Sequence, residues 1–282
     1  MRLANVAGRA VVMTSDRDGF DVSTASNGRF GPGLRSVYDD WTSFTGWARE
    51  VASAPDAAVT IDRASLGPPS PEPRQIVAIG INYDAHAAET RLARPTGLPP
   101  VFTKFVSSLA GPDTVVGLPP AGRTDWEVEL VVVIGLEASR VDETQAWRYV
   151  AGLTVGQDLS ERTTQLRGEA PQYSLGKSFT GFAPTGPWLV TVDAFEDPED
   201  LEIGCDIDGE VVQRGRTRDL IFSVPMLVAA LSDVVTLYPG DLIFTGTPGG
   251  VGLGRRPPRF LRTGECLHSW IEGIGELNQT MA

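Results

Sequence analysis

Two glutamates with a spacing suited to metal binding lie in the segment WEVELVVVIG at residues 126–135. Side chains alternate along a strand, so Glu127 and Glu129 leave the same face, with their Cα atoms roughly 7 Å apart. The Val and Ile residues that follow predict burial on both faces of the strand. Buried carboxylates repel each other and lose hydration, and a hard divalent cation would offset both costs. A solvated strand face is the alternative explanation of the pair.

A third acidic residue, Asp158, directly follows the strand-like segment VAGLTVGQ at residues 150–157. A carboxylate at the end of a strand is well placed to complete a metal site. The same residue could instead cap a short helix in the LSERTTQ segment that follows, because aspartate favours that position. Spacing alone leaves both interpretations open.

A histidine and a glutamate, His86 and Glu89, are three residues apart in NYDAHAAET at residues 82–90. This spacing puts both side chains on one face of a helical turn. The glutamate can then orient the imidazole and stabilise its protonated form, which makes the histidine a competent general base. A surface turn is the alternative explanation. The chain's other histidine, His268, lies in a strand pattern between apolar residues, and we expect it to be structural.

Three further polar residues lie in apolar or glycine-rich surroundings. Lys104 in VFTKF and Lys177 in LGKSF are flanked by apolar residues. Such a lysine can bury its stem and extend its amine to water, or it can bind an anion or deliver a proton. Thr247 lies in the turn TGTPGGVG at residues 245–252, which is either a tight turn or a backbone platform for a carboxylate. The turn lacks the residue order of a phosphate-binding loop.

Many short strands, separated by Gly and Pro, must position these residues. One helix is predicted at residues 223–234, where Ser223 is the N-cap and Pro225 lies in the first turn. Strands outnumber helices without regular strand–helix alternation, so the sequence favours a β-rich α+β fold over a doubly wound or TIM-type fold. The predicted strands of this region are residues 76–81, 126–135, 150–156, 187–192, 201–212, 241–246 and 266–273.

The beginning of the chain has a different pattern. RAVVMTS and GFDVSTAS, around the turn DRDG at 16–19, predict paired strands, and aromatic residues at helical spacing predict a helix over 37–54. The segment LGPPSPEP at 66–73 has four prolines in eight residues, which indicates a linker. We therefore predict a small N-terminal domain at 1–70 and a catalytic domain at 74–282.

The composition narrows the classes of partner. The chain has 282 residues and a net charge of −12, which argues against a nucleic-acid partner and against binding to an anionic membrane. No apolar stretch is long enough for a membrane span, and the first residues lack a signal-peptide pattern. Its two cysteines, Cys205 and Cys266, have no metal-binding spacing and are expected to be buried free thiols. A cytoplasmic location is expected.

Eight segments, taken in order, resemble the fumarylacetoacetate hydrolase family over about residues 75–275. Residues 1–70 match only loosely, as the variable N-terminal domain of some members. The matching segments are IGINYDAHAAE, PVFTKFVSSLAGP, DWEVELVVVIG, VAGLTVGQDLSERTTQ, LGKSFTGFAPTGPWLVT, DIDGEVVQRG, TLYPGDLIFTGTPGGVG and FLRTGECLHSWIEGIG.

The resemblance implies a mixed β-sandwich roll, usually found as a homodimer. It implies that Glu127, Glu129 and Asp158 hold Mg²⁺, or else Mn²⁺ or Ca²⁺, and that His86 and Glu89 form a water-activating pair on a mobile lid. Lys177 would act with that pair in catalysis and help to stabilise the developing enolate. The positions that would contact the oxygens of the substrate are Tyr83, Arg162, Gln165 and Thr247.

The implied reaction is hydrolysis of a C–C bond in a small acylpyruvate or fumarylpyruvate-type oxo acid through a metal-stabilised enolate. The same site would also suit two other reactions, decarboxylation of oxaloacetate-like acids and isomerisation of 2-hydroxyhepta-2,4-diene-1,7-dioate. Its substrate could instead be a larger polyketide-like dione. A further alternative is a module that binds metal and an oxo acid without catalysis. Three residues depart from the pattern of many members. Gln157 replaces Asn, Thr163 replaces Asp and Glu265 replaces Asp.

Overall fold

Short strands dominate the computed structural model, which describes residues 1–51 and 54–282. The strands of these described residues, β1 to β19, are Arg2–Val6, Arg9–Met13, Asp18–Asp21, Ala58–Thr60, Leu66–Gly67, Ile76–Ile79, Val101–Lys104, Leu109–Ala110, Asp113–Val116, Thr124–Asp125, Val128–Ile134, Val150–Gln157, Ser160–Glu161, Ala183–Thr191, Glu202–Ile207, Glu210–Arg216, Leu242–Phe244, Cys266–Ile271 and Gly275–Met281. Their α-helices, α1 to α7, are Val22–Ala25, Leu34–Asp39, Trp41–Glu50, Asp84–Thr90, Arg162–Gln165, Tyr173–Gly176 and Val224–Ser232. The β-rich α+β fold class is thereby confirmed.

The strands form two principal sheets. The larger runs in the order β4-β3-β2-β1-β14-β12-β11-β17-β6-β7, with β5 beside β1 and β8 beside β14. The smaller runs β16-β15-β18-β19-β9. The side chains between them are apolar and buried, including Trp126, Leu130 and Leu153 of the large sheet and Ile203 and Leu277 of the small one. Strand β11 is buried at every position, as its Val run predicts.

Helix α7 begins as predicted. The Ser223 side chain accepts a hydrogen bond from the backbone N–H of Met226, and Pro225 lies in the first turn. The predicted strands after residue 75 are all found, although the segment 201–212 is divided into β15 and β16 by the Asp208–Gly209 turn, where both residues have positive φ. Both residue types favour such a turn.

The N-terminal region departs from its prediction in two places. The predicted partner strand GFDVSTAS is strand only as far as Asp21, because the Asp21 carboxylate caps the turn of helix α1 through the backbone N–H of Thr24. The predicted helix over 37–54 is two helices, α2 and α3, and residues 52–53 of the prediction lie outside the described residues.

Strand β1 pairs with β14, so the N-terminal strands extend the sheet that also carries β11 and β12. The domain boundary at residues 66–73 stays a prediction.

The cysteine prediction is half right. Cys205 is buried as expected, whereas Cys266 is exposed because it begins strand β18 at the rim of the small sheet. Both are free thiols. Among the described helices, none is long and apolar enough to cross a membrane.

Candidate metal centre and active site

Three carboxylates converge where β11 and β12 meet. Pairing of Val128 with Gln157 places Glu127 and Asp158 side by side, and the Asp158 N–H donates to the Glu127 carbonyl over 2.8 Å. Glu129, two residues along the strand, leaves the same face as Glu127. One carboxylate oxygen from each of Glu127, Glu129 and Asp158 lies within 4.8 Å of the other two, and all three residues are buried.

Two buried lysines face this cluster. The Lys177 Nζ lies 2.6 Å from Glu127 Oε2 and 2.5 Å from Asp158 Oδ2. The Lys104 Nζ lies 2.5 Å from Asp158 Oδ1 and donates to the Lys177 carbonyl. Lys104 therefore does not extend its amine to water. Burial lowers its pKa, although Asp158 opposes this shift.

The three carboxylates differ in their partners. Burial alone would raise the pKa of Glu127, but Lys177 and Arg162 outweigh it and bring the pKa below its usual value. Glu129 makes no ion pair within the described residues, and its hydrogen bond comes from the Gly246 N–H over 2.8 Å. Burial, then repulsion from Asp158 and Glu127, raises the pKa of Glu129 well above its usual value.

Arg162 links the cluster to a fourth acid, Asp125. Its Nε lies 2.7 Å from Asp125 Oδ1 and its Nη2 lies 2.6 Å from Glu127 Oε1. Its Nη1 donates to Gln165 Oε1 over 2.8 Å. Burial raises the pKa of Asp125 to about 6, although Arg162 works in the opposite direction.

The predicted pair of histidine and glutamate is formed on helix α4. The His86 Nδ1 lies 2.9 Å from Glu89 Oε1, and His86 is only 4% exposed. Glu89 also accepts hydrogen bonds from the backbone N–H groups of Gly250 and Val251, at 2.8 and 3.4 Å. With Nδ1 facing Glu89, the Nε2 atom of His86 is the one available for proton transfer.

A cavity of about 240 Å³ connects these groups. Its wall includes His86, Glu127, Arg162, Gln165 and Lys177, so five of the ten predicted site residues line one space. The amide nitrogen of Gln165 makes no hydrogen bond within the described part of the chain and can donate into the cavity. Residues from three predicted roles therefore meet there.

Two predicted substrate contacts lie elsewhere. The Thr247 hydroxyl donates to the Val128 carbonyl and accepts from Gln213 Nε2, at 2.9 and 2.8 Å, so it holds the turn against β11. The Tyr83 hydroxyl is buried with no hydrogen-bond partner in the described residues. Burial, with Glu129 as a further cause, raises the pKa of Tyr83. Neither residue lines the cavity.

The capping alternative for Asp158 is wrong. Glu161 caps helix α5 instead, accepting from the N–H groups of Thr163 and Thr164. Gln157, one of the three departures, accepts from the Glu127 N–H and donates to Ser269 Oγ, so it joins β11 to the small sheet. The second departure, Thr163, contributes its backbone to that cap.

Sequence reasoning missed Asp125 and Gln213. Asp125 stands two positions before Glu127, so the alternation that paired Glu127 with Glu129 could have found it. Gln213 bonds the Val128 N–H and Thr247, but no local pattern of its segment distinguishes it from a surface glutamine. Its role depends on contacts between distant strands.

The donors of the cluster fit a divalent cation. Carboxylate oxygens are hard ligands of the kind that Mg²⁺, Mn²⁺ and Ca²⁺ prefer. The three oxygens are close enough to share one ion, and Glu129 is a buried acid that forms no ion pair with a cation of the described residues. The residues that would hold the ion are therefore Glu127, Glu129 and Asp158.

Comparison with known proteins points to one family. A sequence model described as fumarylacetoacetate (FAA) hydrolase C-terminal matches residues 75–282. The human protein named oxaloacetate tautomerase FAHD2A, mitochondrial, is 46% identical over 208 residues, which are 73% of this chain and 66% of that protein. The chain thus spans just under two thirds of this human relative.

Solved structures agree over the whole chain. A Mycobacterium smegmatis protein provisionally designated HpcE is 54% identical, with a TM-score of 0.94 and coverage of 100% of this chain and 99% of that one. Maleylpyruvate hydrolase from Sphingobium sp. SYK-6, in complex with manganese(II) and pyruvate, is 29% identical, with a TM-score of 0.80 and coverage of 100% and 99%.

Proposed function

Because this chain belongs to the fumarylacetoacetate hydrolase family, we propose that it hydrolyses a carbon–carbon bond in a small acylpyruvate with the help of a divalent cation. The observation that carries the proposal is His86, which is paired with Glu89 and lines the same cavity as Glu127, Arg162 and Lys177. A base oriented by a carboxylate beside a charged binding centre is what water activation needs. Mg²⁺ is the first choice of cation, and the manganese-bound relative makes Mn²⁺ the second.

When bound to Glu127, Glu129 and Asp158, the cation would supply Lewis-acid polarisation of the 2-oxo carboxylate. His86 takes a proton from water at Nε2, and the hydroxide adds to the distal carbonyl carbon. The bond from that carbon to the methylene breaks, its electron pair stays with the methylene, and His86 returns the proton there. The products are pyruvate and a carboxylic acid, which releases its proton to solvent and becomes a carboxylate. Lys177 and Gln165 stabilise the negative charge that develops at the ketone oxygen.

Keto–enol tautomerisation is the second candidate. It needs only proton movement at the carbon beside the ketone, which the same base can perform, and the human relative's name describes it for oxaloacetate. Decarboxylation of an oxaloacetate-like acid and isomerisation of 2-hydroxyhepta-2,4-diene-1,7-dioate use the same centre. All three depend less on water activation than hydrolysis does.

One product analysis separates these reactions. Acetylpyruvate, fumarylpyruvate and oxaloacetate are each incubated with the enzyme and Mg²⁺, and products are followed by NMR, with EDTA as the control. Pyruvate with acetate or fumarate is expected. Hydrogen carbonate from oxaloacetate would indicate a decarboxylase. Faster enol–keto exchange without cleavage would indicate a tautomerase. Turnover retained in His86→Ala would also contradict water activation, and no turnover at all would favour a binding module.

A further inference from the structure

We infer that the substrate carries its only negative charge at the end that meets the acidic centre and that its distal group is uncharged and apolar. This rests on the proposed function, which leaves the distal group open, and it excludes fumaryl- and maleyl-type acids as best substrates. The argument depends on the distribution of charge and apolar surface around the 240 Å³ cavity.

The cavity wall combines a few charged or titratable residues with a larger apolar part. The charged or titratable residues are His86, Glu127, Arg162 and Lys177, beside which the oxo acid would bind. The remainder of the wall is mostly apolar, and its larger side chains are Ile81, Leu92, Phe102, Leu166, Tyr173 and Leu253. Whatever follows the oxo acid in the substrate must therefore contact hydrocarbon and aromatic surface.

The cations on the wall are already engaged. The three guanidinium nitrogens of Arg162 face Asp125, Glu127 and Gln165, at 2.7, 2.6 and 2.8 Å. Lys177 lies between Glu127 and Asp158. Neither cation can move to a distant carboxylate without leaving a buried acid unpaired, which is costly.

Other nearby cations do not line the cavity. Arg94, which follows helix α4, lies 3.3 Å from Asp84 and borders a separate cleft with Tyr83 and Arg218. Arg91 and Arg167 are exposed and are absent from the cavity wall. Within the described residues, a second carboxylate against the apolar part of the wall would find no cation that is free of a buried acid.

The formal charges of the centre leave no surplus for a second carboxylate. Five acids, namely Asp125, Glu127, Glu129, Asp158 and the Glu89 that orients a neutral His86, meet three cations, Lys104, Lys177 and Arg162. A divalent cation cancels this excess of two negative charges and adds no positive charge beyond it. A second carboxylate would lose hydration against apolar walls without compensation, which is how a site rejects the wrong ligand.

The test compares ligands of equal shape and different charge. In 4-methylpentanoylpyruvate an isopropyl group replaces the distal carboxylate of succinylpyruvate. We expect the neutral compound to have a kcat/KM roughly tenfold higher or more, the range in which pockets discriminate between such groups. Binding is measured separately by calorimetry with Mg²⁺, using 5-methyl-2-oxohexanoate and 2-oxoglutarate, which lack the bond that would be cleaved. The neutral ligand should bind more tightly.

A variant tests the wall itself. Leu166 belongs to the apolar part of the cavity wall and is 43% exposed, so Leu166→Arg can add a cation to that part without burying it. The substitution should raise kcat/KM for succinylpyruvate on the order of fivefold, as expected of one partly exposed ion pair. The control is Val234→Arg, which adds the same charge at a site that is 74% exposed and outside the cavity. It should not change kcat/KM for succinylpyruvate or for 4-methylpentanoylpyruvate.

The outcomes are distinguishable from failure of the proposed function. If the enzyme cleaves succinylpyruvate better and binds 2-oxoglutarate more tightly, the inference is overturned although the function stands. If it cleaves neither acylpyruvate but binds the neutral oxo acid more tightly, the hydrolase proposal fails and the inference stands. Equal effects of Leu166→Arg and Val234→Arg would also overturn the inference.

Discussion

At the scale of single residues, the acids of the site differ in the groups that neutralise or hydrogen-bond them. Glu127 and Asp158 each meet cations of the protein, whereas Glu129 has only the Gly246 N–H. Asp125 is outside the three-carboxylate cluster, yet it faces Arg162 Nε while Glu127 faces Arg162 Nη2. A charged partner behind a ligand-binding side chain fixes the orientation of that side chain.

Asp125→Asn therefore tests whether the charge of Asp125 is required to hold Arg162 in its position beside Glu127. Asparagine keeps an acceptor for the Leu253 N–H but removes the charge that faces Arg162. We expect kcat/KM to fall roughly 10–100-fold, the range seen for such supporting partners. Steady-state kinetics give the result, and Asp233→Asn at an exposed position is the control. Activity within a factor of two of the wild type would show that Glu127 and Gln165 suffice.

His268 gives a prediction about pH. Its ring nitrogens lie 2.8 Å from Asp206 and 2.8 Å from Glu276. Partial burial alone would lower its pKa, but these acids outweigh burial and raise it. A raised pKa in the folded state means that the stabilisation is complete below the unfolded pKa of about 6.5 and is lost as pH rises through the folded value.

The measurement is the melting temperature of the wild type minus that of His268→Gln, taken from pH 5.5 to 9. Glutamine can still donate a hydrogen bond, so the difference isolates the charge. We expect the difference to be largest at the acidic end and to shrink as pH rises. A difference that is constant, or that grows with pH, would exclude a charged His268 in the folded protein.

At the scale of elements, the glycine-rich stretch 245–254 holds three acids of the site by its backbone. The N–H groups of Gly246, Gly250 and Leu253 donate to Glu129, Glu89 and Asp125, at 2.8, 2.8 and 2.6 Å. One loop therefore fixes a candidate metal ligand, the partner of the base and the partner of Arg162. Backbone donors so close to carboxylates require small residues at several positions.

Gly250→Ala should disturb this arrangement. Gly250 has a φ of +114°, and an added Cβ would lie 2.2 Å from the Val212 carbonyl oxygen. The loop must shift, which breaks its bond to Glu89, so we expect a loss of activity of at least tenfold, in the range attributed to base positioning. Kinetics and melting temperature are measured together.

The matched control for this substitution is Gly264→Ala. Gly264 also has a positive φ, of +92°, but its Cβ would meet nothing within 4 Å. It should lose about 1–2 kcal/mol of stability from backbone strain alone and keep its activity. Equal activity in the two variants would argue that the loop does not position Glu89.

Local sequence patterns predict several of the strands and helices. The Val run predicts β11, and Ser223 with Pro225 predicts α7, because burial and capping are decided within a few residues. The pairing of β1 with β14 and the very short strands are decided by contacts far apart in sequence. The role of Gln213 is decided by such distant contacts too, whereas strand alternation predicts the Glu127–Glu129 pair directly and leaves Asp158 open between a metal ligand and a helix cap.

At the scale of the whole molecule, the acidic cluster lowers the stability of the metal-free protein and provides a site where a cation can bind. Glu129 is buried among other carboxylates on the face of β11 that points away from the small sheet, so its charge opposes folding until a cation binds. A ligand that binds only the folded state stabilises it by about 2.7 kcal/mol at 100 times its Kd. For a chain of this size we expect the melting temperature to rise by roughly 5–10 °C.

Glu129→Gln should separate these two effects. Without added metal its melting temperature should equal or exceed that of the wild type, because one buried negative charge is gone. The rise with Mg²⁺ or Mn²⁺ should disappear. Glu137→Gln, at an exposed position, should retain the full rise. A Glu129→Gln protein that still gains stability from metal would remove Glu129 from the ligand set.

The predicted homodimer is also a property of the whole molecule. Edge strand β7, the residue directly after it and the neighbouring helix α6 expose apolar side chains, namely Val101 at 42%, Phe105 at 52% and Leu175 at 64%. The backbone N–H of Phe105 bonds to the Ser178 hydroxyl, so the two segments are adjacent and their apolar surfaces are close together. Grouped exposed apolar residues beside an open sheet edge are typical of a surface that is covered by another chain.

Light scattering coupled to size exclusion tests this expectation. We expect twice the chain mass of 30.2 kDa, and a shift to the chain mass when Phe105→Glu and Leu175→Glu place charges in the covered surface. Val234→Glu, which adds the same charge on a distant exposed site, should leave the dimer intact. A wild-type protein at the chain mass would refute the dimer. If the variant with Phe105→Glu and Leu175→Glu remains a dimer, the interface lies elsewhere, and the exposed apolar residues at β7 and α6 are not explained by dimerisation.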